Sequence, residues 1–396
     1  MDAALPIAVQ AVTSGDRFYF FGYYDKTPWD PSGRYLLCLQ TGFMDRRPVS
    51  GDVAVVGVVD LADGNRFIPL GKTTAWNWQQ GCMLQWIPGS AQDFIFNDFT
   101  PQGFVARRTH FADATQTTEY ALPVYSLSPT GTMAASLNFS RLFDARPGYG
   151  YAGIPDPWAD NLCPENDGLY ALSLDTGEHR LILSLADARR LGAEKPGMAL
   201  GKHRFNHAQW NTDGTRIAVL HRWSVNPADH HGVGWLTRLI TVSPNGSDPR
   251  IVADDDMVSH YDWRDPQTIL AWANVAGQGR AYYLFGDGSD ATPQRLGGEI
   301  TTVDGHCSYS PDRRWILTDT YPDADGYRTL LLFDPITEKR HDIGRFHGPR
   351  PADTEIRCDL HPRWNRDGTQ ICIDSLHEHG HRHVYVLDVS PLTHGS

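Results

Sequence analysis

Short apolar runs broken by turn residues set the rhythm of this sequence, and their spacing predicts strands. Tyr35–Gln40 and Val53–Val59 read as two of them, and the turn Asp60-Leu-Ala-Asp-Gly64 leads on to a third at Arg66–Leu70. Nearly unbroken Val and Leu in these runs suits strands that are covered on both faces. The layout returns at Arg216–Leu220 with Thr237–Val242, at Trp315–Thr318 with Thr329–Phe333, and at Gln370–Ile373 with Val384–Leu387. A helical pattern is confined to Leu185–Leu191.

Each strand group is announced by the same phrase: a key residue, a second marker three places on, then a Pro/Asp/Gly turn. The seven copies are Lys26-x-x-Trp29, Met83-x-x-Trp86, Tyr125-x-x-Ser128, His207-x-x-Trp210, His260-x-x-Trp263, His306-x-x-Tyr309 and His361-x-x-Trp364. Their key positions lie 57, 42, 82, 53, 46 and 55 residues apart, the repeat length of four-stranded propeller blades. The fold class expected is therefore all-β, a seven-bladed β-propeller forming one domain over residues 1–396. The last blade shows three strands before the sequence ends, so Ile7–Val12 is expected to supply its fourth, closing the ring and removing an exposed edge. The interval of 82 residues carries about 30 more than a blade needs. It predicts an insertion at about 138–203, between the third and fourth blades. Its first part, Asn138–Trp158, mixes Gly and Pro with aromatics, Arg141 and Arg146, and suits an ordered loop over a site.

The repeat makes a single core of a chain whose 396 residues, 41% of them hydrophobic, would otherwise suggest several domains. A formal charge of −12 argues against nucleic acid or an anionic membrane as a partner. No apolar run is long enough to span a bilayer, and Met1–Pro6 lacks the basic and apolar parts of a secretory signal. A cytoplasmic location is expected, or a periplasmic one if a leader has been removed. The six cysteines are scattered without a Cys-x-x-Cys pair, which predicts buried thiols rather than a zinc ribbon or disulfides. Oligomeric state is not written in the sequence.

In a propeller the innermost strands converge on the mouth of a central channel, so repeat arithmetic becomes geometry. The key positions form a ring in which His207, His260, His306 and His361 stand on adjacent blades. Imidazoles gathered this closely repel one another when charged, and the neutral form is the one that binds a divalent metal or accepts a proton. Carboxylates accompany two of them: Asp304 precedes His306 by two residues and Asp359 precedes His361 by two, with Glu355 and Arg357 just upstream. Residues two apart on a strand share a face. His306, His361 and Asp359 are thus the expected metal ligands. His260, preceded by Val258 rather than a carboxylate, is the less ligand-like histidine. The other histidines, His377, His379, His381, His383 and the pair His230-His231, read as adventitious.

Blades five to seven resemble polysaccharide lyase family 22, the oligogalacturonate lyases. The resemblance rests on His361-Pro-Arg-Trp364, Ile371-Cys-Ile-Asp-Ser375 and Val384-Tyr-Val-Leu-Asp388 in the last blade, on Gly305-His306, and on Ser259-His260. Asp359 stands where that family has a second histidine, and Glu355 or Ile356 falls near its glutamine. The resemblance implies a seven-bladed propeller with a divalent metal, Mn2+ first and Zn2+ or Ca2+ as alternatives. It also implies β-elimination on an acidic, uronic-acid-containing oligosaccharide. His260 then becomes the general base, with His207 as the alternative, and Arg238 supports the substrate carboxylate. Tyr24, Tyr125 or Tyr261 protonates the leaving oxygen, while Lys26, Arg141 and Arg357 contact neighbouring sugars. Two other classes compete. A propeller glycoside hydrolase would need two carboxylates about 5–9 Å apart, and a non-catalytic TolB-like or WD-like scaffold would leave four histidines unexplained.

Overall fold

The computed structural model describes residues 7–224, 235–289, 291–297 and 302–394; His230 and His231 lie outside them. The described residues form seven four-stranded antiparallel sheets, one for each copy of the repeat. Blade one consists of Phe18–Phe20, Tyr35–Thr41, Ala54–Asp60 and Arg66–Thr73, and the later blades run in the same inner-to-outer order. Blade seven departs from that rule as expected. Its outermost strand is Val9–Ala11, paired with His383–Asp388 through Val9↔Leu387, Gln10↔Val386 and Ala11↔Tyr385. The clasp continues past the strand, because the Val12 amide donates to the Val384 carbonyl (2.9 Å) and the Val384 amide to Thr13 Oγ1 (2.9 Å).

The repeated phrase has a physical reason at each of its parts. After the inner strand, Asp213, Asp312 and Asp367 each accept a hydrogen bond from the amide two residues on, at 3.0–3.1 Å, which closes the turn. The aromatic ties one blade to the one before. Trp86 Nε1 donates to the Pro28 carbonyl (2.9 Å), Trp210 to Ser126 (3.3 Å) and Trp263 to Gln209 (3.4 Å). In these three blades the indole is buried while its one polar atom finds a partner; Nε1 of Trp29 and of Trp364 is buried without one. Five of the six cysteines are buried thiols, with Cys163 partly exposed. Among the described residues no helix is long and apolar enough to cross a membrane.

The long interval is not one insertion. Residues expected to be inserted include the two outer strands of blade three, Gly168–Ser173 and His179–Ser184. The extra chain therefore falls in two pieces, one on each side of them. The first opens with a helix, Phe139–Ala145, capped by Asn138, whose side chain accepts from the Arg141 amide. The second begins with the expected short helix, here Leu185–Arg190. Arg141 fastens the first piece down. Its buried guanidinium donates to the carbonyls of His203, Trp158, Asn161 and Leu162 and to Asp156 (2.8 Å).

Candidate functional site

Three key residues of the ring, Met83, His207 and His361, have left-handed backbones, with φ of 54°, 56° and 41°. Such a conformation costs a non-glycine residue about 1–3 kcal/mol and persists where the surroundings dictate it. His207 and His260 also fall where the strand register slips, between Asn206 and Gln209 and between Val258 and Tyr261. A bulge re-aims a side chain that regular pairing would keep in the sheet. At the third histidine the device is a glycine: a Cβ on Gly305 would lie 1.7 Å from the Asp319 carbonyl oxygen. Only glycine lets the chain press His306 against Asp319.

Asp319 Oδ1 accepts from both the His306 amide (2.8 Å) and His306 Nδ1 (2.8 Å). With Nδ1 tied to Asp319, His306 turns its Nε2 inward, where it is buried and has no hydrogen-bond partner. His361 Nε2 and Asp359 Oδ1 are buried without hydrogen bonds as well. One ligand atom each from His306, Asp359 and His361 can lie within 4.8 Å of the others. The two unpartnered imidazole nitrogens cost free energy in a dry site unless a donor or cation satisfies them, whereas Asp359 is already paired with Arg357 and lies 3.6 Å from Arg328. Their chemistry, two imidazoles and a carboxylate, fits a divalent metal, and the Asp319 contact is the outer-shell carboxylate that fixes a ligating histidine's tautomer. Charge supports the same reading. Burial, helped by His306, pushes His361 well below its ordinary value and keeps it neutral. Burial alone would raise Asp359, but Arg357, His306 and Arg328 hold it at about 2. His306 is raised: burial works against its charged form, and Asp319 outweighs it.

His260 stands beside this triad, its ring centroid 4.3 Å from that of His306. Its Nδ1 lies 2.9 Å from Asp304 Oδ1. Asp304, which precedes His306 by two residues, reaches the histidine of the preceding blade. An aspartate oriented on one imidazole nitrogen leaves the other to accept a proton. Burial lowers the pKa of His260 and Asp304 partly restores it. The pair borders a cavity of about 550 Å³ whose wall also includes Tyr23, Tyr149, Tyr321, Arg146 and Arg222. Asp304 is the one carboxylate among the described wall residues. The metal triad lies behind that wall rather than in it, under Tyr23, whose ring is 5.3 Å from His361, and Tyr321, 5.8 Å from His306.

Several expected site residues are not brought to the cavity. His207 is fully buried and held well below its ordinary pKa by burial; its Nε2 faces Tyr24 Oη at 3.3 Å. Tyr24 Oη bonds the Tyr261 backbone, Tyr261 Oη donates to the carbonyls of His207 and Ala218, and Tyr125 Oη accepts from Gln80 (2.6 Å). These tyrosines are fastened into the channel wall, with the Tyr24 ring 5.6 Å from that of His260 and 5.4 Å from that of His306. Lys26 is paired with Asp25 (2.7 Å) and lines a separate cavity with Tyr24, Thr27 and Trp364. Arg238 is spent on the Leu191 carbonyl and Asp254, stacked on Trp223, and Arg141 on the loop carbonyls described above. Long cations that read as ligand contacts are here buried fasteners, because a buried guanidinium must find acceptors. Arg357 is at the site, with Nε on Asp359 (2.5 Å) and Nη2 on Tyr149 Oη (3.1 Å). Sequence reasoning missed Asp319, Tyr23, Tyr149 and Tyr321. Asp319 left one signal, a carboxylate closing an otherwise apolar strand, Ile316–Asp319.

No protein-family model matches the chain, and no curated protein sequence does. Solved structures do. An oligogalacturonate lyase in complex with manganese superposes with a TM-score of 0.66 at 15% identity, covering 98% of this chain and 97% of the other. The oligogalacturonate lyase of Vibrio parahaemolyticus gives 0.65 at 12% identity, with 98% of each chain covered. A puromycin-hydrolysing peptidase of Mycobacterium tuberculosis gives 0.56 at 15% identity over 92% of this chain and 52% of that one. At these identities the likeness is one of architecture: the chain has the seven-bladed propeller fold of the oligogalacturonate lyases from end to end.

Proposed function

We propose that this protein is a metal-dependent lyase that cleaves uronic-acid-containing oligosaccharides by β-elimination, leaving a 4,5-unsaturated uronate. The observation that carries the reading is the Asp304–His260 pair set 4.3 Å, ring to ring, from a buried His306/Asp359/His361 triad. A neutral base and a cation side by side are what removal of a weakly acidic proton next to a carboxylate requires. Bound there, Mn2+, or Zn2+ or Ca2+ in its place, would act as a Lewis acid that neutralises the C6 carboxylate of the substrate. His306, His361 and Asp359 hold it, with Asp319 and Arg357 keeping two of them in position. His260 takes the C5 proton on Nε2 while Asp304 keeps the other proton on Nδ1. The electron pair forms the C4–C5 double bond as the C4–O4 bond breaks, and the neighbouring sugar departs carrying O4. Tyr321, whose pKa burial raises well above the ordinary phenol value, stays protonated and is the donor to that oxygen. A hydrolase reading lacks its second carboxylate at the cavity.

The test is ultraviolet absorbance of the unsaturated product across a panel of uronate oligosaccharides with Mn2+-loaded protein. His260→Ala should retain the metal and lose at least about 10²-fold in turnover, the lower range for a positioned base. His306→Ala and His361→Ala should lose the metal itself by elemental analysis. Full activity of His260→Ala, or no product from any uronate with the metal bound, sinks the lyase reading.

A further inference from the structure

Blade four carries a charge arrangement that its stability does not explain. Arg204, on the strand His203–Trp210, and Arg222, on Ile217–Ser224, are directly opposite partners in the ladder. Like charges at that position are destabilising. Trp235, at the start of the next strand, lies beside them across Ser224. A third cation, Arg146, comes from the end of the helix Phe139–Ala145. All three guanidinium carbons lie over the one indole, at 5.2 Å for Arg146, 5.1 Å for Arg204 and 5.7 Å for Arg222.

These cations are almost out of water, with Arg204 2% and Arg222 6% exposed. Arg204 Nη2 and Arg222 Nε are buried with no hydrogen-bond partner. Arg222 Nη2 reaches only the Val258 carbonyl, at 3.5 Å. Among the described residues one carboxylate, Glu355, stands near, 3.4 Å from Arg146 Nε, and it cannot balance three guanidiniums. Burial and the neighbouring arginines push Arg204 down to about 9, a cost that an incoming anion would relieve. Buried, crowded, unpaired guanidiniums are tolerated where a ligand supplies the missing acceptors, and their fork suits planar or tetrahedral oxyanions. The cluster shares a cavity wall with the proposed base, since Arg146, Arg222, Trp235 and His260 all border it.

We propose that Arg146, Arg204 and Arg222, gathered on Trp235, form an anion subsite for the carboxylate or sulfate ester on the sugar adjoining the one that is cleaved. This rests on the lyase reading and sharpens it: the preferred substrate carries acidic groups on two neighbouring residues, and the loop bearing Arg146 is part of the recognition surface.

The subsite is tested by calorimetric titration of the Mn2+-loaded full chain with inorganic sulfate and with acetate, at constant ionic strength made up with chloride. One saturable site is expected, weakened at least about tenfold in Arg204→Gln and in Arg222→Gln, as loss of a charge-assisted contact predicts. The metal content should not change. Arg204→Met should melt higher than wild type, because it removes a buried unpaired charge, and should still lose the anion; a purely structural arginine would do the reverse. Arg222→Lys, which keeps the charge without the fork, must also bind more weakly. Cleavage of disaccharides whose second residue is carboxylated, sulfated or neutral then identifies the natural anion. Absence of binding by both anions in wild type, or binding by the Gln variants equal to wild type, overturns the subsite even if uronates are cleaved. Sulfate or acetate bound through the arginines without any uronate cleavage sinks the lyase reading and leaves the subsite standing.

Discussion

Asp319 is not one of the candidate ligands, yet the candidate metal site hangs on it. Its carboxylate is almost fully buried and accepts two hydrogen bonds from His306, one from the amide and one from Nδ1, both at 2.8 Å. Asp319→Ala orphans both donors in a dry site, and at about 1–3 kcal/mol for each the fold should lose roughly 2–6 kcal/mol. The imidazole also loses the contact that fixes its tautomer and orientation. Outer-shell carboxylates of this kind are worth about 10–100-fold in metal affinity, or about 1.4–2.8 kcal/mol. Asp319→Asn keeps an oxygen in place for the two donors and removes only the charge. It should therefore be nearer wild type in melting temperature and fall nearer tenfold in affinity. Calorimetric titration with Mn2+, with Zn2+ and Ca2+ in parallel, measures the affinity, and a thermal melt the stability. Manganese bound by folded Asp319→Ala within about twofold of wild type would refute the assignment of His306 Nε2 as a ligand.

Three further outcomes are expected. Deleting residues 1–13 removes the pairing of Val9–Ala11, the clasp on Val384 and the buried Val12 side chain, roughly 3–6 kcal/mol together. For a chain of this size the melting temperature should fall by about 4–7 °C, and an unchanged melt refutes ring closure. Arg141→Ala breaks a buried pair with Asp156 and should cost about 3–5 kcal/mol in a denaturant titration while the folded protein keeps wild-type metal affinity, which separates fastener from ligand contact. His203, bonded to His221 Nε2 (2.8 Å) and the Met198 carbonyl (2.7 Å), is held by burial at about 4. The unfolded chain binds its proton from about pH 6.5 downward, so this contribution is complete above that pH and lost as pH falls toward 4, about 3 kcal/mol in all. The drop in stability between pH 7 and pH 4.5 should shrink by a comparable amount in His203→Gln, and an unaltered pH slope would count against it.

The propeller was readable because its determinants are local and repeated. Trp86, Trp210 and Trp263 each sit three residues after a key position and each bond a carbonyl of the preceding blade, so one phrase specifies one wedge of the ring. The closing strand was readable by subtraction, since the last blade had no fourth strand of its own. The metal triad was legible because Asp359 and His361 lie two apart and His306 holds the same place in the preceding repeat. What did not show was the exchange of partners between blades. Asp304 passes over His306 and orients His260, and it is Asp319, from the next strand, that orients His306. Sequence adjacency marks a shared strand face, while the bulge at His260 turns its side chain out of that frame. The surroundings of the arginines and tyrosines did not show for a related reason. Nothing in the order of residues separates a guanidinium that will be saturated by carbonyls, as Arg141 is, from one left with unpaired donors, as Arg204 is.

The segment that follows the first inner strand ties these parts together. Arg363 of the last blade, paired with Asp374 (2.7 Å), donates to the carbonyls of Gly22 (2.7 Å) and Tyr23 (3.3 Å), and Asp374 takes the Phe21 amide. Tyr23 is also the ring that covers His361 and borders the cavity. The seam of the ring and the roof of the metal centre are therefore one piece of chain. A fluctuation that parts the first blade from the seventh must let go of Tyr23 on the way, so the weakest joint of a closed circle is also its gate to the centre. For a metal held by His306, Asp359 and His361, breathing at the seam would be coupled to exchange, and what protects the fold from opening would also set how long such an ion stays.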